Sequence, residues 1–211
     1  RYPWEGDISI KVAKSSAKVA NLLIRIPGWV RNRVVPSDLY RYSDDEKPTY
    51  SVTVNGKRVE GDPDANKGYL PVRGIRKGDV IRIHFDMPVR TVVANDRVAD
   101  DRGKVAVERG PLVYCAESAD NGGAAVLHAV VNKKPAFAVV NDYSIDNTEA
   151  HAAPFTVKAI KTPAQILRES ADGGMEVEKL DLTLIPYYAW NHRGANQMNV
   201  WFVQNLSLLD K

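Results

Sequence analysis

Apolar residues recur at every second position through most of this sequence, and that period constrains the fold more than any other feature. Ile8, Ile10 and Val12 alternate with Ser9 and Lys11; Leu22, Ile24 and Ile26 share a face; Val52 and Val54 alternate with Thr53 and Asn55 before an Asn55-Gly56 turn. Side chains at i and i+2 line one face of a strand, so each stretch predicts a half-buried strand. The turn Arg76-Lys77-Gly78-Asp79 leads into another, with Ile81, Ile83 and Phe85 facing one way and Arg82 and His84 the other. Further strands are predicted over residues 137–140, 155–160, 175–184 and 199–203, with Asp172-Gly173-Gly174 as a hairpin turn. Only residues 163–170 read as a short helix. Many short strands punctuated by 12 Pro and 14 Gly predict an all-β chain of antiparallel β-sandwich, jelly-roll-like modules in tandem, not an α/β sheet.

The 211 residues suit one large or two small domains. Residues 89–103 turn charged and turn-rich at Asn95-Asp96-Arg97 and Asp100-Asp101-Arg102-Gly103. The expected boundary therefore falls near Val93, with a first module over 1–93 and a second over 94–211. The longest polar connections, 31–48 and 116–125, are long enough to reach a neighbouring domain.

Composition removes several function classes. The net charge of +3 comes from 29 basic and 26 acidic residues that are interspersed, so no basic stripe tracks a phosphate backbone and nucleic acid is not an expected partner. No apolar run reaches the roughly 20 residues of a membrane-spanning helix. The single cysteine, Cys115, rules out an intrachain disulfide. It lies in an apolar strand, where burial raises a thiol pKa and suppresses nucleophilic attack. The sequence assigns no compartment.

Catalytic chemistry is equally sparse. A glycosidase needs two carboxyl groups about 5 to 9.5 Å apart across the scissile bond, one of them kept protonated. Asp100 and Asp101 are adjacent and flanked by Arg97 and Arg102, which predicts two ionised surface groups. Glu108 with Arg109, and Glu117 with Asp120, fit the fixing of strand ends or a domain contact. His84, His128, His151 and His192 are widely spaced and form no zinc motif. Asp62-Pro63-Asp64-Ala65-Asn66-Lys67-Gly68 has half the pattern of a calcium loop, but its glycine comes one place late and Arg73 stands where the bidentate acid belongs. No catalytic, cofactor-binding or metal-ligating residue is assigned.

Several blocks carry a family resemblance. Tyr2-Pro3-Trp4-Glu5-Gly6-Asp7, the stretch VAVERGPLVYCAE at 105–117 with Asp120-Asn121, and LIPYYAWNHRG at 184–194 occur in order, with the weaker Arg25-Ile26-Pro27-Gly28-Trp29 between the first two. Together they resemble the C-terminal β-sandwich region of glycoside hydrolase family 127, the zinc- and cysteine-dependent beta-L-arabinofuranosidases and their relatives. The resemblance implies two β-sandwich modules lying downstream of a catalytic helical barrel. It places the catalytic cysteines and glutamates, and any zinc, in that barrel, outside this sequence. An excised, non-catalytic fragment is the resulting expectation, with the barrel of the same polypeptide as its partner and dimerisation as a further role.

The aromatics are the remaining clue to binding. Tyr188 and Trp190 are candidates for stacking on a sugar ring, which gives the alternative reading of a carbohydrate-binding module for plant-type glycans. Trp4 and Trp29, near Pro-Gly corners, are candidates for an interdomain contact with the barrel, and Trp201 is expected in the core. A third reading, an independent hydrolase, would rest on Glu108 or Glu117.

Overall fold

The computed structural model describes residues 1–14, 20–147 and 153–209, so His151 lies outside the described residues. Among the described residues the strands run β1 (Asp7–Lys11), β2 (Ala20–Arg25), β3 (Tyr40–Tyr42), β4 (Tyr50–Val54), β5 (Lys57–Arg58), β6 (Tyr69–Ile75), β7 (Val80–Phe85) and β8 (Val89–Ala94). They continue as β9 (Lys104–Arg109), β10 (Leu112–Glu117), β11 (Ala129–Val130), β12 (Ala138–Ile145), β13 (Phe155–Glu169), β14 (Met175–Pro186), β15 (Met198–Asn199) and β16 (Phe202–Val203). The helical segments among these residues are three-residue 3-10 turns, and no helix is long and apolar enough to cross a membrane. The chain is all-β, as its period predicts.

Two compact units divide it. The first comprises Arg1–Pro36 and Asp45–Pro88, the second Ser37–Asp44 and Val89–Lys211. In the first unit a four-stranded antiparallel sheet, in the order β1-β7-β4-β5, accompanies the ribbon β2-β6. Ile81, Ile83, Phe85 and Val52 from the sheet and Ile24, Leu70, Val72 and Ile75 from the ribbon share one buried core. The Asn55-Gly56 turn joins β4 to β5 with positive φ at both residues, 50° and 82°, the backbone that a tight two-residue hairpin requires. Leu22 departs from expectation. The β2-β6 ladder shifts between Ala20 and Leu22, and Leu22 is 37% exposed while Ile24 and Ile26 are buried.

In the second unit, pairings run β10-β14-β13-β11-β16-β9, and β9 pairs again with β10, so these strands form a hydrogen-bonded ring. Strand β8 extends the ring from β9, and β3 pairs with β8 through Tyr40 to Tyr42. The connection 31–48 thus lends a strand to the second unit, and the strand carrying Val93 lies wholly within that unit. Tyr114, Leu182, Leu184, Ile160 and Phe202 are fully buried in its core. Each such side chain contributes roughly 1.5–3 kcal/mol relative to exposure.

Residues 163–170 do not form a helix. They belong to β13, paired with β14 from Ile160↔Leu184 to Glu169↔Met175, with Pro163 opposite Asp181. Thr162, Ala164 and Ile166 are buried at alternate positions while Gln165 and Leu167 are only half-buried. Cross-strand burial against Leu180 and Leu182 overrides the local helical reading. The Asp172-Gly173-Gly174 turn closes this hairpin as expected, with Ser170 N–H donating to Gly174 O at 2.7 Å.

Candidate functional site

Strand β10 is buried on both faces. Tyr114 and Ala116 enter the main core, while Cys115 joins Ile145, Val157, Ile185 and Ala189 in a second cluster. Two residues beyond Cys115, on the same face, the strand ends in Glu117, which is 0% exposed. A 3-10 turn, Ser118–Asp120, then carries Asp120, whose side chain is 1% exposed. A buried carboxylate is costly unless it is paired and hydrogen-bonded.

Both carboxylates are paired with Arg193. Its Nη1 and Nη2 donate to Asp120 Oδ1 and Oδ2 at 2.5 Å each, and Nη2 also donates to Glu117 Oε2. The other Glu117 oxygen accepts from Asn191 N–H at 3.0 Å and Asn196 Nδ2 at 2.9 Å. Tyr143 Oη donates to Asp120 Oδ1 at 2.8 Å. Burial pushes the Glu117 carboxyl up, but hydrogen bonds from Asn196, Asn191 and Arg193 outweigh it, so the group sits below its usual range. The Asp120 hydrogen bond holds Arg193 protonated well above its ordinary value, and burial together with Asp120 pushes the Tyr143 phenol up to about 12. Asn121 completes the arrangement. Its side-chain amide accepts from Thr183 N–H at 2.8 Å and donates to Thr183 O at 3.1 Å, taking the place of a strand neighbour for β14.

This centre fixes the loop after β14. Tyr187–Ala189 form a 3-10 turn, and the Asn191 N–H bound by Glu117 follows directly after Trp190. Tyr187 and Tyr188 are 45% and 48% exposed. Trp190 is half-buried against the Cys115 cluster, and its ring lies 6.0 Å from that of Tyr187 at 40°. The two sugar-stacking candidates therefore differ: Tyr188 is at the surface, whereas much of Trp190 serves packing.

A second buried charge centre holds β3. Tyr42 Oη donates to Glu108 Oε2 at 3.2 Å, and the Arg90 guanidinium stacks 3.5 Å above the Tyr42 ring. Arg90, 4% exposed, donates through Nη2 to Asp44 Oδ1 at 2.7 Å. Burial raises Glu108 to about 7, against the opposing effects of Tyr42 and Arg90. A carboxyl group that is neutral near neutrality suits a general acid, but here it faces a tyrosine and an arginine rather than a second carboxyl group across an open space.

The remaining candidates are scattered. Asp101 accepts from Tyr40 Oη at 3.1 Å and helps to hold β3. Asp64 pairs with Arg31 and with Arg33, and Asp62 Oδ1 accepts from Asp64 N–H, so the calcium-like stretch forms a turn. Trp29 packs edge-on to Phe85 at 5.6 Å within its own unit, while Trp4 is 41% exposed. Trp201 is half-buried beside the Tyr40 ring at 5.6 Å rather than enclosed in the core. Cys115 is fully buried, and burial pushes its thiol up to about 12. Among the described residues no group of three or more His, Cys, Asp or Glu side chains could hold a metal ion. Sequence reasoning picked out Glu117 and Asp120 but missed Arg193, Asn196 and Tyr143, and it missed Tyr42 and Arg90 altogether.

These features define a tandem β-sandwich chain whose buried charges hold loops and an edge strand in place. Residues 1–87 match the middle domain of the GH127 beta-L-arabinofuranosidases, and residues 89–203 match the glycoside hydrolase family 127 C-terminal domain. The chain belongs to glycoside hydrolase family 127. It is 32% identical, over 95% of its length, to a non-reducing end beta-L-arabinofuranosidase of Bifidobacterium longum subsp. longum. A solved GH127 beta-arabinofuranosidase superposes on 98% of the chain with a TM-score of 0.84 and 44% identity. A GH127 beta-L-arabinofuranosidase from Geobacillus stearothermophilus T6 superposes on 96% with a TM-score of 0.72 and 30% identity. The chain spans 29% of the Bifidobacterium protein and 31% and 29% of the two solved chains.

Proposed function

We propose that this chain is the non-catalytic β region of a longer family 127 hydrolase, supporting a catalytic barrel carried elsewhere in the same polypeptide. The observation that carries the reading is the state of the reactive groups. The single cysteine is sealed in β10 with its thiol pushed up to about 12, and the buried carboxylates of Glu117 and Asp120 share one arginine. A nucleophile needs thiolate character and access, and a glycosidase needs two carboxyl groups free to face a substrate. In this proposal zinc and the catalytic residues belong to the barrel, and the whole enzyme acts on beta-L-arabinofuranosides like the relatives it resembles. Homodimerisation through the β region is part of the same proposal.

Trp4 and Trp29 are the proposed contacts with the barrel. Trp4 is the more exposed of the two, and the loss of Trp29, which packs on Phe85, would loosen the first unit itself. In the longer enzyme, Trp4→Ala should lower the unfolding temperature of the barrel while leaving the fold of the β region intact. An unchanged barrel transition would count against the contact. The exposure of Tyr188 favours a second reading, in which Tyr188 and Trp190 bind a glycan.

A further inference from the structure

Three arginines of the first unit converge on the turn that precedes β6. Arg31, whose side chain is only 9% exposed, donates from Nε to Ile26 O at 3.0 Å and from Nη1 to Asp64. Arg33 Nη2 reaches the same Asp64 oxygen at 3.2 Å. Arg25 donates from Nη1 to Lys67 O at 2.9 Å, and its guanidinium lies 5.3 Å from the Tyr69 ring centre. Gly68 makes the approach feasible. A Cβ at that position would collide with Arg25 Nη1 and come within 2.8 Å of Arg31 Nη2, and its φ of +89° also disfavours any other residue.

Two guanidiniums thus share one carboxylate and a third, that of Arg25, lies beside Arg31 at Gly68, with Lys67 in the same turn and one oxygen of Asp62 taken by the Asp64 N–H. Like charges held this close repel, and an added oxyanion relieves the repulsion. Guanidinium forks match a carboxylate in a planar, two-bond geometry. The Tyr69 ring beside Arg25 is 38% exposed and offers an apolar face of the kind that packs on a sugar ring. Arg25 and Arg31 are already pinned by backbone carbonyls, so little side-chain freedom is lost on binding.

We propose that Arg25, Arg31 and Arg33, with the Tyr69 ring, form a binding site for a carboxylate-bearing sugar such as a uronate unit of an acidic polysaccharide. The site is independent of the accessory reading and of the Tyr188 and Trp190 surface.

The test is calorimetric titration of the 211-residue chain with oligogalacturonate, with inorganic phosphate and with neutral arabinan. Saturable oligogalacturonate binding that weakens with added salt is expected, with no binding of arabinan at this site. Arg25→Gln and Arg33→Gln, both at exposed positions, should each weaken it by about tenfold, the size of one charge-assisted hydrogen bond. Their unfolding temperatures should stay close to that of the parent chain, which separates lost binding from lost folding. No saturable oligogalacturonate binding, or binding indifferent to both substitutions, overturns the proposal. Phosphate binding without oligogalacturonate binding also overturns it and assigns the cluster to free small anions.

Discussion

Arg193 and Asp120 meet as a fork on a fork, both guanidinium Nη atoms at 2.5 Å from the two carboxylate oxygens, although 73 residues separate them in the chain. The same arginine reaches Glu117 at the buried end of β10, so one cation ties a strand end, a turn and the loop after β14 together. The loop that carries the exposed Tyr187 and Tyr188 is thereby anchored to the end of β10.

Removing that cation should be costly. Arg193→Met leaves two buried carboxylates without their partner, and loss of one member of a buried ion pair costs about 3–5 kcal/mol. Denaturant unfolding should show a loss of that order in the second unit. A change below about 1 kcal/mol, the worth of an exposed pair, would mean that the centre is solvated.

Glu108 makes the stability of the second unit depend on pH. Its folded-state pKa of about 7 lies above the ordinary value of 4.5, so the protonated form is favoured by folding. The contribution is complete below about pH 4.5 and is lost as the pH rises through 7. Glu108→Gln keeps an acceptor for the Tyr42 hydroxyl but cannot ionise. Relative to the parent, the variant should gain on the order of 2 kcal/mol between pH 5 and pH 8 in paired denaturation curves. A constant difference across that range would contradict the buried-acid account.

Cys115 should be inert in the folded chain. It is fully exposed to alkylating reagents only on unfolding, so iodoacetamide at pH 8 should label it in denaturant and leave it largely unmodified in buffer. Rapid labelling under native conditions would show that β10 opens.

Trp190 and Tyr188, neighbours in one loop, should respond differently to truncation. Trp190→Ala removes packing against the Cys115 cluster and should cost about 2–4 kcal/mol, near the lower part of the range for a large buried aromatic. Tyr188→Ala, at a position 48% exposed, should stay within about 1 kcal/mol. Loss of glycan binding in Tyr188→Ala without loss of stability would support the second reading.

The strands were legible because alternation and turn chemistry act locally. Ile81, Ile83 and Phe85 fall on one buried face, and Asn55-Gly56 adopts its expected turn. Residues 163–170 misled because a proline beside polar and charged residues carries no clear period, and only their pairing with β14 makes them a strand. β3 was hidden for a similar reason. Tyr40 to Tyr42 is too short to show a pattern, and its strand form comes from β8 and from the Tyr42 contacts with Glu108 and Arg90. Glu117 and Asp120 stood out as charges in a strand-and-turn setting, but Arg193 lies in a distant loop with no local signal naming its partner.

The most direct test of the account is to mix the 211-residue chain with a beta-L-arabinofuranoside, zinc and a thiol reductant, and to follow the sugar by saturation-transfer proton NMR. A non-catalytic support domain should leave the glycoside intact. Cleavage that depends on the chain, and that disappears in Glu108→Gln or Glu117→Gln, would show a catalytic centre within these β-sandwiches and contradict the account.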